Sequence, residues 1–300
     1  MKKSLAIALL ISTMLFWAVN FHVVKIALEY YSPVGVAACR FLFGVISLAI
    51  ILYFQFGSLR QRFKFTAKEY WYIFLTSFFG IFLTIYFFNL GLKSTSAVNG
   101  SLIIATSPAI TAVFTYFLQR NILTLLQKVA IVISFVGVAV ILSKGDFKTL
   151  VALQFTIGDI YILAMAVVFS LSQVIVSKYL AHVDAIVMTA ITSLMAFVLF
   201  AIFAVPEFLT TPIPTGWAFW ASILFMGFLG TGVAYSAFYY CVVRLGATTS
   251  TLYMNLIPLF TVLLAFPFGE RIYVIQLVGG LLIVIGLVVF GVTKRKRIKT

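Results

Sequence analysis

Acidic side chains are scarce in this chain. There are 7 Asp and Glu beside 21 Lys and Arg in 300 residues, and only 9% of positions are charged. A soluble domain carries about 25% charged residues, so this composition excludes a water-soluble fold of this size. Cysteine is almost missing too. Cys39 and Cys241 lie inside apolar runs, with no CxxC or Cys/His cluster, which excludes a disulfide framework and offers no metal site. The two histidines, His22 and His182, are too far apart in sequence for an HExxH zinc motif. No Asp or Glu falls near the middle of an apolar run, so neither an aspartyl intramembrane protease nor a mid-membrane carboxylate relay is expected. No GxxxxGK[ST] phosphate loop occurs, so ATP does not drive the protein directly. Neither enzymatic chemistry nor a cofactor is expected.

What the chain has is apolar sequence: 63% hydrophobic residues, 17% aromatic, mean hydropathy +1.17. A helix needs about 20 residues to cross roughly 30 Å of hydrocarbon. The apolar runs are too long and too continuous for barrel strands of about ten alternating residues. The sequence therefore predicts an all-α integral membrane protein with ten transmembrane helices. They fall near 5–27, 33–54, 70–91, 97–118, 123–143, 157–178, 185–205, 217–240, 248–268 and 273–293. The first run exceeds a signal-peptide core and reads as a retained span. The loops leave no room for a soluble domain.

The net charge of +14 would suggest nucleic acid on a soluble chain. Sorted by alternate loops, fifteen Lys and Arg fall on one side and five on the other, with Arg40 inside a span. The positive-inside rule makes the richer side cytoplasmic. Both termini then face the cytoplasm in a multi-pass protein of the cell membrane. The excess charge records orientation, and no nucleic-acid partner is expected.

Residues also recur at a fixed spacing. Gly80 and Gly230, Ala97 and Ala247, Pro108 and Pro258, and Thr111 and Thr261 are each 150 apart; Gln127 and Gln276, and Gly137 and Gly286, are 149 apart. This spacing predicts two five-helix halves, 1–150 and 151–300. An odd number of spans per half forces opposite orientations, the inverted repeat common among secondary transporters.

On these residues the chain resembles the EamA-type transporters of the drug/metabolite transporter superfamily. The first half supplies Trp17-Ala18-Val19-Asn20-Phe21 with Lys25, Arg40-Phe41, Pro108 and Gly137. The second supplies Lys178, Ala247 with Pro258, Gly269-Glu270-Arg271, Gln276, Gly279, Gly280 and Gly286. Arg120 stands where the first half of the family usually repeats the glutamate. The resemblance implies ten helices in two inverted repeats and the movement of small metabolites, amino acids among them.

Polar residues at membrane depth are the candidate site. Trp17, Asn20 and Phe21 share one face of the first span at i, i+3, i+4; they read as cavity lining or as helix packing. Arg40 lies about 10 Å deep in the second span at helical rise. It reads as an anchor for a substrate carboxylate, a gate, or a structural tie, with carbonyls, Glu29 or Glu270 as partners. The remaining cavity candidates are Tyr86 and Asn89 in the third span, Asn99 in the fourth, Gln173 in the sixth, Tyr235 and Tyr239 in the eighth, and Tyr253 and Asn255 in the ninth. Each has packing or an interfacial aromatic belt as its alternative. Pro108 and Pro258 predict kinks, static or gating. The functional expectation is a secondary transporter, read as an exporter, of small organic metabolites such as amino acids, working by alternating access. A small-molecule solute and the lipid bilayer are its partners. The alternative is a lipid flippase or a non-transporting membrane partner, with the basic run Lys294–Lys299 binding anionic lipid or anchoring topology.

Overall fold

The computed structural model describes residues 3–55, 64–95, 97–143, 146, 148, 156–265, 273–293 and 296–297. The predicted motif at 269–271 lies outside them. The helices, in chain order, begin with α1 (Lys3–Leu28), α2 (Pro33–Gln55) and α3 (Ala67–Ser94). Next comes α4, in two pieces (Ala97–Ile104 and Ser107–Gln119), then α5 (Leu125–Ser143), α6 (Ile157–Tyr179), α7 (Ala185–Thr210) and α8 (Trp217–Leu245). The last two are α9, built from Ala247–Leu252, Tyr253–Asn255 and Leu256–Ala265, and α10 (Val274–Val292). Among the described residues, eight helices are long and apolar enough to cross a membrane, and Leu125–Ile141 is a shorter apolar helix. A two-residue strand, β1 (Asn121–Ile122), pairs antiparallel with β2 (Lys296–Arg297).

Most boundaries fall within three residues of the sequence expectation, because polar caps stop the apolar runs. Thr66 and Glu69 form a capping box at the start of α3, and the Asp184 carboxylate accepts from the Ile186 and Val187 N–H groups at the start of α7. Two helices run on. α7 passes Pro206 to Thr210, since a proline withholds only its own N–H and the next turn is closed by Thr211 N–H on the Glu207 carbonyl. α8 continues past 240 until Gly246, whose φ of 89° ends the helix.

α3 and α8 share an irregularity. Each carries one π-helical stretch, Phe78–Leu83 and Phe228–Val233. Each contains one of the glycines spaced 150 apart, Gly80 or Gly230. α4 and α9 are interrupted alike. α4 breaks at Ala105–Thr106, just before Pro108, and α9 passes through a 3-10 turn at Tyr253–Asn255, just before Pro258. The sequence-predicted kinks are therefore breaks in the helix, placed where proline cannot donate to the preceding turn.

The packing follows small residues. α5 and α10 form the most extensive pair. A Cβ on Gly137 would sit 2.6 Å from the Gly279 carbonyl oxygen, and a Cβ on Gly279 would sit 2.6 Å from that of Gly137. Seven residues along α10, a Cβ on Gly286 would lie 2.7 Å from the Ala130 carbonyl. The second contact is the first with each residue moved by 149 positions. α1 packs on α8 as α6 packs on α3, and α9 packs on α1 as α4 packs on α6. The turn before α2 is also tied to the end of α7: the Glu207 carboxylate accepts from the Ser32 N–H and hydroxyl, both at 2.6 Å.

Candidate functional site

The helices meet around a small central cavity of about 50 Å³. Trp17, Asn20 and Phe21 of α1 line it, with Arg40 of α2 and Tyr235 of α8. Five of the sequence-predicted residues thus converge. Trp17 sits tilted on Tyr235 with centroids 5.3 Å apart and on Phe238 at 5.0 Å, and meets Phe169 edge-on at 6.1 Å. Phe21 meets Phe88 edge-on at 5.2 Å. These contacts fix the rings, so the wall is an ordered aromatic box.

The cavity's polar side is organised by the π-helical stretch of α8. A π turn widens the helix and shifts its bonding from i+4 to i+5. Here the Gly230 carbonyl accepts from outside the helix, from the Trp17 indole N–H at 3.3 Å and an Arg40 Nη2–H at 3.4 Å. The Arg40 Nε–H donates to the Thr231 hydroxyl at 2.9 Å. Gly230 has no Cβ, and one added there would lie 2.8 Å from the Asn20 Nδ2. The Asn20 Oδ1 is buried without a hydrogen-bond partner. Arg40 is 3% exposed, and among the described residues no carboxylate pairs with it. Of the partners expected for it, the backbone carbonyl is the one found. Two of the guanidinium's five N–H groups are engaged in these bonds.

The other candidates lie elsewhere, for identifiable reasons. Tyr86 continues a ladder of rings down one side of α3, stacked on Phe82 at 6.3 Å. Asn89 donates to the Pro33 carbonyl at 2.9 Å and ties α3 to the start of α2. Gln173 is fully buried and donates to the Ser172 hydroxyl at 2.9 Å. Tyr239 is fully buried, its hydroxyl 3.7 Å from where a Cβ on Gly80 would stand. Asn255 donates to the Ser134 hydroxyl at 2.9 Å and pins the α9 break to α5. Tyr253 lines a different and larger space. Asn89 and Asn255 bond to a neighbouring helix, and Gln173 bonds to the adjacent residue of its own. The side chain of Asn99 lies outside the described residues. Pro108 and Pro258 are buried behind the helix breaks. His22 is exposed on α1.

Sequence reasoning misses the apolar wall. Thr84, Ile85 and Phe88 of α3, Ile104 of α4, Met165 and Phe169 of α6, and Met254 and Ile257 of α9 complete the lining. Met165 with Phe169 sits at i, i+4, and Ile85 with Phe88 at i, i+3, but in a chain this apolar such spacing marks packing just as well.

Comparison with known proteins matches this architecture. The model of the EamA-like transporter family matches residues 4–143 and again 156–292. The chain is 27% identical over 281 residues to the uncharacterized transporter YyaM of Bacillus subtilis (strain 168), covering 93% of this chain and 90% of that protein. It is 26% identical over 296 residues to a probable terminal-alkyne amino-acid exporter of Streptantibioticus cattleyicolor, covering 97% and 95%. A solved crystal structure, 19% identical in sequence, superposes with a TM-score of 0.76 over 96% of each chain. Two matches to one family model, spanning nearly all of the sequence, leave a plain conclusion: this chain is a multi-pass membrane protein that belongs to the EamA-like transporter family.

Proposed function

We propose that the protein is a secondary transporter, working as an exporter, of small carboxylated solutes with an apolar or aromatic body, amino acids among them. The carrying observation is Arg40. It is buried beside the aromatic box, held by one hydroxyl and one carbonyl, with three N–H groups left for a carboxylate. A cavity of about 50 Å³ holds a water or two and no amino acid. Binding therefore requires the centre to widen, which is the movement alternating access demands. The broken helices α4 and α9 supply Ile104, Met254 and Ile257 to the wall and are the elements to move.

The same reading takes ten crossings in two inverted halves, 1–150 and 151–300, with both termini in the cytoplasm and the protein in the cell membrane. Supporting it are the two family matches, the α5–α10 contacts related by 149 positions, and the paired π turns. The exporter named among the relatives supports amino acids as the class to try first. Counterflow into proteoliposomes across a panel of amino acids and their decarboxylated amines tests the proposal. Flux of at least one amino acid, absent for its amine, is the expected result; no flux and no solute-dependent thermal shift sinks it.

Gly230→Ala probes the site without breaking the fold. The added methyl meets only the end of the Asn20 side chain, which can turn away. The melting temperature is expected to stay within a few degrees, because alanine also favours the helix by about 0.8–1 kcal/mol. Half-saturating solute concentration should rise about five- to tenfold, the loss of about one hydrogen bond, measured in the same counterflow assay.

A further inference from the structure

A second, much larger space of about 940 Å³ lies at the opposite face of α9 from the central cavity, walled by α1 and α10. Its chemistry is graded along one axis. Gln127 of α5, Arg244 of α8, Thr249 of α9 and Thr293 beyond α10 gather at one end, all at helix termini. Beyond them the walls are apolar, with Ile11, Leu259 and Val288 among them. From Thr293 back to Val284, nine residues of α10 rise about 14 Å. From Thr249 to Phe260, eleven residues of α9 rise about 16 Å. Either figure is one leaflet of a hydrocarbon layer of about 30 Å. Ile11 is 40% exposed and Val288 57%, so the crevice is open sideways to lipid.

From this geometry we infer that the crevice is a binding site for an anionic phospholipid of the surrounding bilayer. Polar groups sit at headgroup depth and apolar walls at acyl depth. At roughly 30 Å³ per methylene, near the volume share of a liquid water, 940 Å³ holds on the order of thirty methylenes, the content of two acyl chains. The headgroup end is basic. Arg244 is exposed, its Cζ rests 5.5 Å from the Tyr240 ring centroid, and it makes no ion pair among the described residues. β2 brings the backbone at Lys296 and Arg297 back against Asn121 and Ile122, just before α5 and Gln127. A phosphate fits this surround, and a zwitterionic headgroup gains less from it. The proposed orientation of the chain would put this lipid in the inner leaflet; the site itself does not depend on that orientation.

Native mass spectrometry of the full-length protein, with phosphatidylglycerol and phosphatidylcholine of identical chains at equal mole fraction, tests the site. Wild type is expected to retain phosphatidylglycerol preferentially. Arg244→Gln should cut that preference about fivefold, the effect of one basic residue near a lipid surface, while leaving counterflow in phosphatidylcholine vesicles unchanged. Val288→Trp, which puts an indole into the acyl end from a lipid-facing position, should reduce retention of both lipids; Ile11→Trp does the same from the opposite wall. Equal retention of the two lipids by wild type overturns the proposal, as does a preference that Arg244→Gln leaves intact. Transbilayer movement of labelled phosphatidylglycerol that Val288→Trp abolishes also overturns it, because the crevice is then a path and not a seat. Lipid retention is read without solute flux, so failure here and failure of the transport reading are separable.

Discussion

Replacing Arg40 with methionine is expected to lower counterflow of carboxylated solutes about a hundredfold while the protein still folds into the membrane. Methionine keeps an unbranched apolar side chain of similar reach and removes the charge. Hydrogen bonds to charged groups contribute about 1.5–3 kcal/mol, and a fork of two parallel bonds to one carboxylate adds geometric selectivity. Two orders of magnitude correspond to about 2.7 kcal/mol, within that range. Stability should change little. The guanidinium is buried without a carboxylate partner among the described residues, and removing an unneutralised buried charge relieves desolvation. Arg40→Lys restores charge without the fork and should recover part of the activity. The discriminating measurement is the ratio of amino-acid to decarboxylated-amine flux. A structural tie predicts the reverse pattern: a large drop in melting temperature, with every solute affected in proportion.

Gly137→Leu is expected to prevent accumulation of folded protein. At the α5–α10 crossing a Cβ on Gly137 already falls 2.6 Å from a carbonyl oxygen, and it also meets the Ile283 backbone nitrogen at 2.9 Å. Backbone cannot rotate aside as a side chain does. The helices must part, and the reciprocal Gly279 contact and the Gly286–Ala130 contact part with them. In a bilayer there is little hydrophobic drive to hold helices together, so close van der Waals packing carries this interface. Gly137→Ala should cost about 2–3 kcal/mol, the scale of overpacking. Gly291→Ala, where an added Cβ meets nothing within 4 Å, is the matched control and should be silent. Fluorescence-detected size exclusion and thermal melts in detergent read both; a monodisperse, wild-type-like Gly137→Leu protein would sink the account.

The helices are legible in the sequence because hydrocarbon leaves the backbone few options. α2 is expected at 33–54 and found at Pro33–Gln55, and α6 is expected at 157–178 and found at Ile157–Tyr179. Trp17, Asn20 and Phe21 stand out for a related reason: an amide and an indole at membrane depth are costly and lie on one stripe. That same cost also marks Asn89, Gln173 and Asn255, whose amide N–H groups donate to the Pro33 carbonyl and to the Ser172 and Ser134 hydroxyls. Sequence supplies depth and face for such a residue, and it does not supply the neighbour across the interface. The apolar half of the cavity is silent for the opposite reason. Met165, Phe169, Met254 and Ile257 cost nothing in lipid, so nothing distinguishes those that face a void from those that face a helix. Arg40 shows the limit most clearly. Its depth is readable, but its main acceptors, Thr231 and the Gly230 carbonyl, depend on a local bonding pattern that glycine permits without announcing.

That pattern has a consequence for phase. A π turn is an α-helix carrying one surplus residue, and at 3.6 residues per turn one residue is about 100° of rotation. In α3 and in α8 every side chain that lines the central cavity, Thr84, Ile85 and Phe88 in one and Tyr235 in the other, lies downstream of its π turn. Both halves of each helix pack on neighbouring helices, and the surplus residue sets the rotation of one half relative to the other. A single position in each half of the chain thus decides which stripe of the inner helix looks inward, so an insertion or deletion there would re-aim a binding surface without altering one residue that forms it.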